Sequence, residues 1–241
     1  MTRLVHAELL KLRTTRTFWA MAGAATALVL LIVVLSLALD DHLRSEDDVL
    51  SLLSTIGVAG LLAMVLGVVA AAGEYRHGTI ASTLLVTPQR LRAVTAAVLA
   101  CALGGLAIGV AISAVTALIA LPWLSAKDVD MPSTGAIVEV FVGGALFAAL
   151  AAALGAALGA LLRNQVAAVV SLLAFIFILD PTISALLEDV APYTLSGLSA
   201  AMNGGESGTD LLPRGIAALV WALYAALLGA GAAVLTARRD I

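Results

Sequence analysis

Charge is what this chain has least of. Asp, Glu, Lys and Arg supply 12% of its 241 residues, apolar types supply 62%, and the mean hydropathy is +1.09. An ordinary soluble domain has about 25% charged residues and roughly 45–50% apolar ones, so a water-soluble globular fold is excluded. Cysteine is nearly absent: Cys101 stands alone in an apolar run, which rules out an intrachain disulfide framework. Three histidines, His6, His42 and His77, lie far apart without the Cys or carboxylate spacing of a metal site, and none is expected. No G-x-x-x-x-G-K-[ST] phosphate loop occurs, so the chain is not expected to cradle ATP.

What the chain has in abundance is long apolar runs. A helix crosses the hydrocarbon with about 20 mostly apolar residues, because every backbone polar group must be satisfied inside it. Six segments qualify, at approximately 17–39, 50–73, 93–121, 136–162, 165–187 and 214–236. The expected fold class is therefore all-α: a polytopic membrane protein forming a single transmembrane domain over 1–241. The first span is read as uncleaved, because its run exceeds the roughly 7–15 residues of a signal sequence and Asp40-Asp41 makes a poor cleavage site. Spans four and five are joined by a tight hairpin at Arg163-Asn164-Gln165.

The charges that remain are sorted by side. Arg3, Lys11, Arg13, Arg16, Arg76, Arg90, Arg92, Arg163, Arg238 and Arg239 fall at one end of the spans, ten of the thirteen Lys and Arg. The other end collects Asp40, Asp41, Glu46, Asp47, Asp48, Asp128, Asp130, Asp180, Glu188, Asp189, Glu206 and Asp210. Positive residues favour the cytoplasmic side, so the arginine end is expected inside, with both termini there. The stretch 180–213 becomes an external loop with a flexible turn at Gly204, Gly205 and Gly208; Asp180, Glu188 and Asp189 either shape an external gate or, as expected, are solvated in it.

Span interiors are almost free of ionisable groups; Glu139, Glu74 and Arg163 lie only near span ends. A proton- or sodium-coupled carrier would need buried carboxylates or histidines as relays, and an intramembrane enzyme would need a nucleophile with a base. Neither is present. Trp19, Trp123, Trp221 and Tyr75 near span ends are expected as interfacial anchors. Gly105-x-x-x-Gly109 and Gly155-x-x-x-Gly159 permit close helix packing, within the chain or between two copies.

Two segments outside the spans carry pattern. In residues 1–16, Leu4, Val5, Leu9 and Leu12 share one face while Arg3, His6 and Arg13 lie off it, an amphipathic interfacial helix. Glu8 falls inside the apolar arc, where it pairs with Lys11 three residues on or reaches a partner or another cytoplasmic loop. In residues 74–92, Gly78-Thr79 reads as a helix start and Pro88 as its end, with Ile80, Leu84 and Leu85 on one face. The segment is either a solvated loop that sets topology or a short helix lying at the cytoplasmic surface.

The stretch Glu74-Tyr75-Arg76-His77-Gly78-Thr79, then Leu84-Leu85 and Pro88, resembles the motif after the second span of type-2 (ABC-2) transporter permeases. Glu8-Leu9-x-Lys11-Leu12-x-Thr14-Thr15-Arg16, followed by Phe18-Trp19, is similar to their amphipathic connecting helix. With six spans, the resemblance covers essentially the whole chain; the family's large external insertions are missing, which points to a compact exporter. It implies a cytoplasmic coupling helix in which Glu74, Tyr75, Arg76, Gly78, Thr79, Leu84, Leu85 and Pro88 meet a separate ABC ATP-binding subunit that holds ATP and Mg. It also implies an interfacial helix carrying Glu8, Lys11, Arg13 and Arg16, a second permease copy or related chain, and a place in the bacterial cytoplasmic membrane. On that basis the chain is expected to be the non-enzymatic permease subunit of an ATP-driven exporter of amphipathic or hydrophobic cargo: a drug-like molecule, lipid or peptide. A non-transporting membrane scaffold or sensor component is the alternative.

Overall fold

The computed structural model describes residues 1–39, 44–76, 78, 90–127, 129–204 and 211–238. Among them there is no strand, and six helical runs are long and apolar enough to cross a membrane: Arg16–Leu39, Glu46–Arg76, Leu91–Ser125, Thr134–Leu162, Gln165–Leu186 and Arg214–Leu235. The chain is an all-α polytopic membrane protein.

Helix α1 (Thr2–Thr14) precedes the first span. It stops because Thr15 turns extended (φ −82°, ψ 132°), while the Thr14 and Thr15 hydroxyls donate to carbonyls of the last turn. The first span, α2 (Arg16–Leu39), leaves at once, and Trp19 Nε1 donates to the Arg13 carbonyl at 2.8 Å across the elbow. Phe18 and Leu12 then lie over Gly104 of α5 (Arg90–Ser125).

Span two is broken. Ser45 and Asp48 form a reciprocal cap that starts α3 (Glu46–Ser54), the chain bends at Thr55-Ile56, and α4 (Gly57–Arg76) continues. The crossing therefore begins earlier than the apolar run, since Glu46, Asp47 and Asp48 occupy the first turn, where acidic groups favour a helix N-terminus.

The axis of the bundle is α6 (Thr134–Leu162). In its apolar centre 72% of residues are buried, against 17–22% in spans one, five and six. Its sequence explains this: glycine and alanine dominate, so backbones approach closely where lipid gives helices no hydrophobic reason to associate. A Cβ at Gly155 would lie 1.9 Å from the Met64 carbonyl oxygen of α4, and one at Gly159 would lie 2.7 Å from that of Val68. On α5, a Cβ at Gly105 would meet the Ala148 oxygen at 2.4 Å, and one at Gly109 the Ala145 Cα at 2.7 Å. Both glycine pairs therefore pack inside the chain. Gly67 of α4 fits against Ala152 in the same way.

Span five is composite: α7 (Gln165–Ala174), one wide π turn over Phe175–Leu179, then α8 (Asp180–Leu186). A 3-10 turn at Ala191–Tyr193 and α9 (Leu195–Asn203) follow, and α10 (Arg214–Arg238) forms the sixth span. The stretch expected as an external loop is thus largely helical through Asn203, although Glu188 and Asp189 are exposed as foreseen. Asp180 corrects the reading most sharply. It is 1% exposed and accepts from the Leu195 and Ser196 N–H groups at 2.8 and 3.0 Å, capping α9 from a distance in sequence. Gly204 has φ +74° and ends α9; residues 205–210, with Gly205 and Gly208, lie outside the described residues.

Trp221 is a second correction. It is 1% exposed, stacked edge-on against Phe147 with centroids 5.0 Å apart, so it is a core residue of the α6–α10 contact and not an interfacial anchor. Trp19 and Trp123 remain exposed.

Substituting Gly155→Ala is expected to cost about 1–3 kcal/mol by overpacking, whereas Gly23→Ala, whose Cβ meets nothing within 4 Å, should be neutral or better. Thermal denaturation in detergent, followed by size-exclusion chromatography, compares the two. Asp180→Ala strips two N–H groups at the start of α9 of their buried acceptor and should cost about 1–3 kcal/mol; equal melting of Asp180→Ala and wild type would show that the cap adds no stability.

Candidate functional site

The last turn of α4 sends three consecutive side chains to three different elements. Glu74 accepts from Lys11 Nζ of α1 at 2.8 Å. The Tyr75 ring lies under the Arg163 guanidinium, 5.3 Å from its centroid. Arg76 Nη1 donates to Gln165 Oε1 of α7 at 3.2 Å. Successive helical residues point about 100° apart, so one turn can grip neighbours on several sides.

The partners are held in turn. Arg163 has φ 53°, the left-handed cap of α6, and its N–H returns to the Gly159 carbonyl at 3.0 Å. Asn164 then caps α7 by accepting from Ala167 N at 3.1 Å. The connection expected as a tight hairpin is two residues long, and it is aimed at Tyr75. Arg163 Nη2 is buried without an acceptor among the described residues, so its contact with the ring face is cation–π rather than a hydrogen bond.

On α1, Lys11 Nζ also donates to Glu8 at 2.6 Å. The pairing of Glu8 with Lys11 is thus observed, and the same ammonium also takes Glu74, 63 residues from Lys11. The carboxylates are the inner members, with side chains 14% exposed for Glu8 and 18% for Glu74, while Lys11 is 46% exposed. Burial raises the Glu8 carboxyl above its ordinary pKa; the Lys11 hydrogen bond opposes this incompletely, and the Glu74 charge adds to the rise. For Lys11, burial acts downward, but Glu74 and Glu8 outweigh it and hold the ammonium above its usual value. While the two carboxylates are ionised, the Lys11 contribution to holding α1 is therefore complete below about pH 10.4 and is lost as pH climbs through its folded-state pKa.

Behind these groups lies a cavity of ≈ 740 Å³ between α1, α4, α5 and α7, walled by Leu66, Val69 and Ala70 of α4 and Ala97 and Ala100 of α5. Cys101 is buried against it. Of the residues singled out in the sequence, the structure brings together Glu8, Lys11, Glu74, Tyr75 and Arg76. Arg13 and Arg16 are exposed and do not line the cavity, though the Arg13 carbonyl receives Trp19. Gly78 has φ +69°, a conformation that favours glycine, and its N–H closes onto the Tyr75 carbonyl at 3.4 Å. Thr79, Leu84, Leu85 and Pro88 lie outside the described residues. Gln165, and Arg163 as a ring partner, were not foreseen; the short turn between two spans was their only signal.

Partly exposed ion pairs are worth about 0.2–1 kcal/mol, so α1 should be tied down weakly but measurably. With Leu12→Cys in a Cys101→Ala background, Glu74→Gln is expected to speed maleimide labelling by up to about fivefold. An unchanged rate would show that α1 is held by its apolar contacts alone.

At the opposite end, Arg214 Nη1 and Glu139 Oε2 pair at 2.7 Å on the surface. No curated protein matches the chain. The family model described as ABC-2 family transporter protein matches residues 4–180, which takes in α1, the elbow, the α4 hub, the α6–α7 turn and the start of α8. With the match spanning well over half of its length, the chain belongs to the ABC-2 family of transporter proteins.

Proposed function

We propose that the chain is the membrane permease subunit of an ATP-driven exporter, powered by a separate ABC ATP-binding subunit that holds ATP and Mg. Two permease copies, or this one with a related chain, form the pathway in a bacterial cytoplasmic membrane. The arginine end faces the cytoplasm, in keeping with the positive-inside bias. The cargo is amphipathic or hydrophobic: a drug-like molecule, a lipid or a peptide.

The observation that carries this reading is the three-way grip of the last α4 turn. Residues 74–92 hold the motif that resembles an ATPase-coupling segment, and Glu74, Tyr75 and Arg76 stand at its entrance. A subunit bearing on that segment would move Glu74 with α1, Tyr75 with the α6–α7 turn, and Arg76 with α7. Force then enters three elements at one point, and no titratable relay inside the membrane is needed.

The test is co-purification. A tagged chain in mild detergent is expected to retain an ATP-binding subunit, and a Glu74→Ala, Arg76→Ala double variant that stays monodisperse is expected to lose it. Failure of the well-folded wild-type chain to retain any ATPase would overturn the permease reading in favour of a membrane scaffold or sensor.

A further inference from the structure

We propose that the cavity between α1, α4, α5 and α7 binds a lipophilic organic cation between the Glu8 and Glu74 carboxylates, and that Lys11 stands in that place as an internal counter-ion which the ligand displaces. The inference deepens the exporter reading by naming a cargo class, and it rests on that reading only for the step after binding.

Size and lining come first. A volume of ≈ 740 Å³ falls within the roughly 300–1,000 Å³ of small-molecule sites. Its walls from α4 and α5 are aliphatic, through Leu66, Val69, Ala70, Ala97 and Ala100, and they would take an apolar body.

Charge decides the sign of the ligand. The two carboxylates are the more enclosed groups and come from different helices, while Lys11, at 46% exposed, reaches them on a flexible four-carbon stem. Its ammonium nitrogen, 2.6 Å from Glu8 and 2.8 Å from Glu74, marks a point that already accommodates a cation. A ligand cation arriving there keeps the local charge unchanged and frees Lys11 to turn outward. An anionic ligand would instead have to draw Lys11 away from two carboxylates and then sit beside them, which costs both attraction and desolvation. Arg76 also lines the cavity but is directed to Gln165.

Displacement has a structural consequence. Among the described residues Lys11 links α1 to α4 ionically, so a bound cation replaces a tether within the protein by contacts to the ligand. Cargo occupancy is thereby reported to the α4 turn that carries the coupling motif.

The experiment uses the full chain without any ATPase, in phosphatidylcholine nanodiscs, with empty discs as the partition blank. Tetraphenylphosphonium is the probe, and tetraphenylborate is its counterpart of like shape and opposite charge. Wild type is expected to bind the phosphonium saturably and the borate not at all. Glu8→Gln and Glu74→Gln should each weaken binding about tenfold, through loss of one carboxylate charge beside the cation. Lys11→Met should tighten it up to about fivefold by removing the competitor, and Lys11→Arg should not. Absence of saturable phosphonium binding in both wild type and Lys11→Met overturns the proposal, as does equal affinity for the borate or indifference to both Glu→Gln changes. If those variants misfold, the Lys11 pair alone decides it. An ATPase that co-purifies with a chain unable to bind the phosphonium defeats the cation site and leaves the permease standing; binding without any ATPase does the reverse.

Discussion

Close backbone approach along α6 is the constraint on which the other contacts depend. In lipid, helices gain nothing by hiding apolar surface from one another, so association relies on dispersion at short range and on interhelical polar contacts. Helix α6 meets that need with glycine and alanine on nearly every side. Gly155 and Gly159 receive α4, Ala145 and Ala148 lie under the glycines of α5, and Gly143 sits where a Cβ would meet the Met202 carbonyl of α9 at 1.9 Å. Large side chains enter only where they are matched, as when Phe147 meets Trp221 of α10.

The hub at the arginine end follows from that packing. Because α4 and α6 are held in register by Gly67 against Ala152 and Gly155 against Met64, the end of α4 is delivered beside the turn that leaves α6. Tyr75 then meets Arg163, and Arg76 meets Gln165. None of these contacts is strong by itself. Their value is positional: they join the ends of rigid helices, so that displacement of the α4 terminus is shared by α1, α6 and α7.

Much of the architecture was legible because hydropathy over about 20 residues reports directly on whether a helix can cross a bilayer. Boundaries were less so. Span two begins at Glu46, four residues before its apolar run, because Ser45 and Asp48 cap it, a signal present in the sequence but outranked by the acidity of the segment. Asp180 was read as solvated because a carboxylate beside proline after a span ordinarily is; its burial depends on two N–H groups offered by α9, fifteen and sixteen residues on. Trp221 was read as an anchor from its place near a span end, and only the position of Phe147 makes it a core residue. Glu8 was the most informative anomaly, since a carboxylate inside an apolar arc implies a partner even when the partner cannot be named.

The sequence by itself determined that the chain lives in a bilayer, that it crosses as helices, and that its cations gather at one end, because these depend only on local composition and on the cost of unpaired backbone groups in hydrocarbon. Which helix forms the axis, which end of α4 grips α1, and which carboxylates share one ammonium were decided by tertiary structure. Those outcomes turn on contacts between residues as far apart as Lys11 and Glu74 or Arg76 and Gln165, whose meeting is set by how closely neighbouring backbones can pack and by nothing in the segments themselves.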